Sequence, residues 1–226
     1  MNETLGIILD WSEVWALLIP LIYLLFKNHQ PRYLKPVIIY LFVALLLNVT
    51  GNIIADYKAW LPSWMQSNNP LYNVHSIIRY ICFSYFFVAL NQSSFSVIKK
   101  MLPILSLLIF LINFTVAENF GNPQHLSGNL LSAEAYLLLI YCMLYYLAKL
   151  RNETDDISGG SDFWIVTGLS IYVVVNFFVF LFYVPMINHD SLLAENIWYV
   201  HNIAYILLCI FITKAFYESA RHQLTV

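Results

Sequence analysis

Seven apolar stretches, separated by short polar segments, dominate the chain. They run approximately from Leu5 to Phe26, Val37 to Tyr57, Leu71 to Leu90, Met101 to Val116, Leu130 to Leu147, Phe163 to Ile187 and Ala194 to Phe216. A helix needs about 20 residues to cross the hydrocarbon core of a bilayer, and most of these stretches approach that length. Because the stretches are continuous rather than alternating, they predict helices and not the strands of a barrel. The pattern therefore predicts an all-α polytopic membrane protein with seven transmembrane helices.

Composition agrees with this interpretation. Of the 226 residues, 60% are hydrophobic and 11% are charged, whereas a soluble domain carries about 25% charged residues. No loop is long enough to fold independently, so residues 1–226 are predicted to form a single transmembrane domain. The lipid bilayer is its expected surroundings and partner. A net charge of −2 argues against nucleic acid as a partner. Cys82, Cys142 and Cys209 fall inside apolar stretches and are predicted to be free, buried thiols.

The positions of the basic residues predict the orientation. Nine of the 11 Lys and Arg residues lie in or beside the loops that follow the first, third, fifth and seventh stretches. The positive-inside rule places these loops in the cytoplasm. We therefore expect the N-terminus outside the cell and the C-terminus in the cytoplasm, as an odd number of helices requires.

Polar and ionisable residues interrupt several stretches. Such residues are costly in hydrocarbon and usually face the bundle interior or a water-filled cavity. Most of them lie in the outer half of their segment, so we expect an outward-facing polar pocket that binds a small molecule above an apolar inner floor. The predicted ligand-binding residues are Asp56, His75, Arg79, Glu134, Trp198, His201 and Asn202. Some of these residues, and Asn48 and Asn52 beside them, are equally explained as hydrogen bonds that hold the helices together.

Arg79 is the deepest charge in this set and needs a carboxylate partner. The candidates are Asp56, Glu134 and Glu13, and Asp56 is favoured because the second and third helices form a hairpin.

An internal repeat is suggested by two short stretches. Val74-His75-Ser76-Ile77 and Val200-His201-Asn202-Ile203 both place a histidine in the outer half of an inward-running helix. The chain would then consist of two parallel three-helix units joined by the fourth helix, a plan known among transporters. His75 and His201 would face each other near the pseudo-axis.

Three functions remain open, and small-molecule binding or sensing is favoured. The cytoplasmic loops are too short to hold a signalling domain, so a sensor would need a separate signalling partner protein. Alternatively, His75, His201 and Asp56 could bind zinc for an intramembrane hydrolase, with Glu134 as general base. Seven-helix hydrolases of the ceramidase and adiponectin-receptor kind carry two histidines four residues apart in the last helix. Here the residue four positions after His201 is Tyr205 and not a histidine. The enzyme hypothesis also includes a protein that acts on lipid through carboxylate residues without a metal ion.

A small-solute transporter is the third hypothesis, because the three-plus-one-plus-three plan resembles that of small sugar exporters and vitamin transporters. Retinal is not expected as a cofactor, since Lys214 lies at the cytoplasmic end of the last helix and not near its middle.

Two segments carry a family resemblance. The stretch from Asn68 to His75 and the stretch from Trp198 to Ile203 resemble those of small, uncharacterised seven-helix proteins from Bacteroidetes-type bacteria. Arg79 stands where a glutamate is expected in that group. The resemblance implies a bacterial inner-membrane protein with a sensory role, and it assigns no catalytic residue.

Overall fold

The computed structural model describes residues 3–27, 29–90, 92, 94–117, 126–151, 160–187, 189 and 191–224. These residues form helices and short connections, with no strand among them, which confirms the predicted all-α class. The helices are α1 (Glu3–Asp10), α2 (Ser12–Phe26), α3 (Lys35–Tyr57), α4 (Asn69–Ala89), α5 (Ser96–Ile112), α6 (Gly128–Arg151), α7 (Ser161–Ile187) and α8 (Ser191–Leu224). A π-helical turn, Asn113–Ala117, extends α5.

The first apolar stretch is broken at Trp11 into α1 and α2. A break in a helix frees backbone carbonyl groups, which need other partners in an apolar environment. The indole Nε1 of Trp15 donates to the carbonyl of Ile8 at 2.9 Å, and the side-chain amide of Asn202 donates to the carbonyl of Leu9 at 3.0 Å. The break is therefore stabilised by specific side chains.

Five of the described helical segments are long and apolar enough to cross a membrane, which is two fewer than predicted. They are Arg32–Trp60, Ser96–Thr115, Gly128–Arg151, Ser161–Ile187 and Leu192–Arg221. Helix α2 has only 15 residues, and α4, with 21 residues, is not among these five segments. The sequence prediction overestimated the apolar character of the third stretch because it contains several polar residues.

Six of the helices pack side by side in a closed ring. In order around the ring, α2 contacts α3, α3 contacts α4, α4 contacts α6, α6 contacts α7, α7 contacts α8, and α8 returns to α2. Helix α5 lies outside the ring against α4 and α6, and α1 lies against α2 and α8. The close approach of α7 to α8 depends on Gly168, where a Cβ atom would overlap Phe211.

Aromatic residues fill one end of the ring. Phe83, Phe87, Tyr141 and Tyr145 are fully buried there, and the Phe87 and Tyr141 rings stack with centroids 5.0 Å apart. This packing agrees with the apolar floor expected from the sequence.

The three cysteines all lie within the described residues and are free, as predicted. Cys142 and Cys209 are buried, whereas Cys82 is only partly so.

Candidate functional site

The polar centre of the ring contains a buried ion pair between α4 and α6. Arg79 Nε donates to Glu134 Oε1 at 2.7 Å, and Arg79 Nη2 donates to Glu134 Oε2 at 2.6 Å. The hydroxyl of Ser76, one turn earlier in α4, also donates to Oε2 at 2.8 Å. Side-chain exposure is 3% for Arg79 and 1% for Glu134. This two-pronged geometry suits the planar guanidinium group and fixes α4 against α6.

A second charged cluster links α2, α4, α7 and α8. His201 Nε2 lies 2.8 Å from Glu13 Oε1, and His201 Nδ1 lies 2.5 Å from Asn176 Oδ1. The hydroxyl of Tyr72 donates to the other carboxylate oxygen of Glu13, Oε2, at 2.9 Å. Both oxygens of a carboxylate buried among helices are therefore hydrogen-bonded, as burial of such a group requires.

Aromatic and imidazole rings connect the two clusters. The guanidinium carbon of Arg79 lies 4.9 Å above the centre of the Tyr172 ring, a cation–π contact. The Tyr172 ring lies edge-on to the His201 ring at 5.9 Å. On the other side, the Tyr40 ring stacks on His75 at 5.6 Å, and the Tyr40 hydroxyl donates to the Tyr205 hydroxyl at 3.4 Å. The two clusters thus belong to one continuous polar centre.

Some polar atoms of this centre have no hydrogen-bond partner among the described residues. They are Nε2 of His75, the hydroxyl oxygen of Tyr172 and Oδ1 of Asn202. All three residues are at least 97% buried. Because an unpaired buried polar group costs about 1–3 kcal/mol, such atoms in a native structure require an explanation, and a bound molecule is one.

Trp198 closes one side of the centre. Its ring lies 4.7 Å from the His201 ring, 4.6 Å from the Tyr183 ring and 5.3 Å from the Tyr72 ring. Trp198 therefore packs against the polar centre, and its predicted part in binding a ligand stays a prediction.

Two sequence predictions about Asp56 are wrong. Asp56 is exposed near the end of α3, and Arg79 pairs with Glu134 instead. The hairpin argument failed because side chains on neighbouring helices meet only where they face each other, and Asp56 faces outward. The predicted zinc ligands His75, His201 and Asp56 are also not brought together, since the described residues contain no group of three His, Cys, Asp or Glu side chains placed to hold a metal ion.

Asn202 has a structural role through its amide nitrogen, while its Oδ1 has no hydrogen-bond partner among the described residues and its predicted part in ligand binding stays a prediction. Its amide group binds the carbonyl of Leu9 at the break between α1 and α2. Asn48 likewise donates to the carbonyl of Glu13 at 3.0 Å, so it ties α3 to α2, which is the structural interpretation that the sequence left open.

Among the described residues, the polar side chains of the centre are buried and pack against one another. A narrow crevice of about 10 Å³ lies beside them, lined by Leu47, Asn48, Gly51, Leu71 and Tyr72. A larger groove of about 330 Å³ lies between α4 and α5, and its walls are mainly apolar. Within the described residues the centre is buried, and a ligand bound there would need space that the side chains now occupy.

Tyr40 and Tyr172 are members of the centre that the sequence analysis did not single out. Tyrosines are common in membrane helices and mark their interfacial ends. Tyr172 lies near the middle of its apolar stretch, which distinguishes it, but Tyr40 is the fourth residue of the stretch from Val37 to Tyr57, so no signal in the sequence marked it. Glu13 was recognised only as a candidate partner of Arg79.

Comparisons with protein-family models, with curated proteins and with solved structures found no match to this chain. The function must therefore be argued from the geometry of the polar centre.

Proposed function

We propose that this chain is a seven-span membrane protein that binds a small polar molecule at the buried centre formed by Arg79, Glu134, Glu13, His201 and their neighbours. Its role is binding or sensing, and the bound state is communicated to a separate signalling protein through helix movement. The observation that carries the proposal is the pair of buried atoms, His75 Nε2 and the Tyr172 hydroxyl oxygen, that have no hydrogen-bond partner among the described residues, inside a centre where Arg79 pairs with Glu134 and His201 with Glu13.

The distribution of polar residues on α4 supports its membrane-spanning position. Its polar residues Asn73, His75, Ser76 and Arg79 are buried inside the ring, whereas Ile81 is exposed. The helix is about 31 Å long at 1.5 Å per residue, close to the thickness of the hydrocarbon core. Its low overall hydropathy thus comes from residues that face the protein and not the lipid.

Residues 3–26, which form α1 and α2, support a first span. Together they extend over about 36 Å, and the carbonyl groups at the Trp11 break are hydrogen-bonded. With seven spans, the distribution of basic residues gives an outside N-terminus and a cytoplasmic C-terminus in a bacterial inner membrane. A C-terminal fusion to green fluorescent protein should be fluorescent, whereas a C-terminal fusion to secreted alkaline phosphatase should be inactive. The opposite pair of results would contradict this topology.

Helix packing supports the internal repeat. In such a repeat, α2 corresponds to α6, α3 to α7 and α4 to α8. The contact between α2 and α8 then corresponds to the contact between α6 and α4, and both contacts exist. The neighbouring pairs α3–α4 and α7–α8 correspond in the same way. Glu13 on α2 and Glu134 on α6 would then be counterparts, since each pairs with a cationic or ionisable residue of the helix that its own helix contacts, α8 or α4.

Side-chain contacts in the centre follow the same correspondence. Tyr40 contacts the His75 ring, as Tyr172 contacts the His201 ring. Tyr40 also contacts Tyr205, four residues after His201, while Tyr172 contacts Arg79, four residues after His75. The proposed binding centre therefore lies at the interface of the two halves.

A thermal-stability screen tests the binding proposal. Purified protein in detergent is heated with single compounds from four classes: amino acids, sugars, nucleosides and short carboxylic acids. A compound at 100 times its Kd adds about 2.7 kcal/mol of stability, which raises the Tm by roughly 5–10 °C for a chain of this length.

Tyr172→Phe makes the screen specific to the site. This change removes a buried hydroxyl that has no partner among the described residues, so the Tm of the ligand-free protein should stay the same or rise. The rise caused by a bound compound should be reduced. Tyr136→Phe is the matched control, since Tyr136 is exposed on α6. The proposal fails if no compound raises the Tm, or if the rise is equal in Tyr172→Phe and the parent protein.

Transport is the second candidate, and the two-fold arrangement of the ring favours it. Transporters built from repeats bind their substrates near the bilayer midplane at the repeat interface, and an enclosed site is the intermediate that alternating access requires. A transporter would take up the stabilising compound into reconstituted vesicles, and Arg79→Ala would abolish that uptake. A sensor would bind the same compound without uptake.

A further inference from the structure

The hydrogen bonds around His201 show which of its two ring nitrogens carries a hydrogen. The amide nitrogen Nδ2 of Asn176 donates to the carbonyl of Tyr172 at 2.8 Å, so the Asn176 oxygen Oδ1 is the atom that faces His201. That oxygen is an acceptor, and His201 Nδ1 must therefore carry a hydrogen. The role of the opposite nitrogen, Nε2, depends on whether a second proton is present.

The contact between His201 Nε2 and Glu13 Oε1, at 2.8 Å, requires one shared proton. With that proton, the pair is either an imidazolium and a carboxylate or a neutral imidazole and a carboxylic acid. Without it, a nitrogen lone pair would face a carboxylate oxygen, and two acceptors cannot form a hydrogen bond. The link between α2 and α8 at this point therefore depends on protonation.

The equivalent link in the other half of the chain has different chemistry. Glu134 on α6 is paired with Arg79 on α4, and a guanidinium group keeps its charge at any physiological pH. Glu13 on α2 is paired with a histidine, the side chain that titrates most readily near neutrality. The interface of α4 with α6 thus contains a permanent ion pair, whereas the pair at the interface of α2 with α8 forms only when a proton is bound.

The groups around the pair show how proton exchange would proceed. Tyr72 binds the free oxygen of Glu13 and also lines the narrow crevice between α3 and α4. A crevice of about 10 Å³ is close to the smallest space that admits a water molecule. Among the described residues, the other titratable or charged groups around this centre are Asp10 on α1, Tyr40 on α3, His75 and Arg79 on α4, Glu134 on α6, Tyr172 and Tyr183 on α7, and Tyr205 and Cys209 on α8.

We propose that Glu13 and His201 form a binding site for a single proton, and that the bound proton holds α2 against α8. On release, the proton shared between Nε2 and Oε1 is transferred to water, leaving a carboxylate and a neutral imidazole; the crevice beside Tyr72 is the nearest described space that could admit that water. The site then gains one negative charge and loses one hydrogen bond, so α2 and α8 separate more easily. This proposal goes beyond small-molecule binding, because it concerns the protein with no other ligand present.

Two spectroscopic measurements detect the shared proton on either partner. Infrared difference spectra between acid and alkaline samples report a protonated carboxyl group through its carbonyl band, which shifts in D2O. Nuclear magnetic resonance of ¹⁵N-labelled histidine reports whether His201 Nε2 carries a hydrogen, and His201→Gln assigns that signal by its loss. We expect at least one of the two signals to change in a single step with pH, and Glu13→Gln to abolish or displace that step.

Glu195→Gln is the control, because Glu195 is an exposed glutamate on α8, and it should leave the step unchanged. If Glu13→Gln does not fold, His201→Gln provides the test through the infrared signal: its amide can still donate to Glu13, and the pH step of the carboxyl band should be lost or displaced, whereas an unchanged step would overturn the proposal. The proposal is overturned if neither signal changes over the pH range in which the protein stays folded, or if the step is identical in Glu13→Gln. Neither measurement uses a small molecule, so its outcome is independent of the thermal screen.

Discussion

Replacing Glu134 by glutamine should destabilise the protein strongly. Arg79 would lose its negative partner while it remains buried, and two hydrogen bonds of 2.6–2.7 Å would be weakened. Removing one member of a buried ion pair costs about 3–5 kcal/mol, because the remaining charge is left uncompensated. At about 2–4 °C per kcal/mol for a chain of 150–250 residues, the Tm should fall by roughly 6–20 °C.

The free energy of unfolding can be measured in mixed micelles of a mild detergent and sodium dodecyl sulfate, with helix content followed by circular dichroism. Glu218→Gln is the matched control. Glu218 is only 12% exposed, but its partners Lys214 and Arg221 are 40% and 68% exposed, so water can solvate them when the carboxylate is lost. The change should therefore cost less than Glu134→Gln, which leaves a buried cation without its partner.

The double variant Arg79→Met with Glu134→Leu separates the charge effect from the packing effect. Apolar replacement of a whole buried pair is often neutral or stabilising, so the double variant should be more stable than Glu134→Gln alone. The reasoning would be refuted if Glu134→Gln cost no more than Glu218→Gln, or if the double variant were the least stable of the set.

Two further predictions use the same unfolding assay. Asn202→Ala leaves the carbonyl of Leu9 without its side-chain donor and should cost about 1–3 kcal/mol; an unchanged stability would show that this hydrogen bond is not needed at the helix break. Gly168→Ala should cost about 1–3 kcal/mol because its new methyl group overlaps Phe211, whereas at Gly51 the nearest atoms would lie 3.9 Å away and alanine should be neutral or stabilising by up to about 1 kcal/mol. Equal effects at the two glycines would contradict the close packing of α7 on α8.

Much of the candidate site followed from residue type and position within an apolar stretch. Arg79, Glu134, His75 and His201 were predicted to converge because hydrocarbon makes isolated ionisable groups costly, and all four are buried in one centre. The sequence failed for Asp56, which lies near the end of its helix where water can solvate it. Burial and not residue type decided that difference.

The all-α class was determined by the sequence alone, since continuous apolar runs in a membrane must satisfy their backbone hydrogen bonds internally. The pairing of Arg79 with Glu134 and of Glu13 with His201 was decided only by the tertiary structure. Both contacts join residues far apart in the chain, and they depend on which helices are neighbours and how each is rotated about its axis. Periodicity identifies the face of a helix that carries polar groups, but it contains no information about the helix that this face will meet.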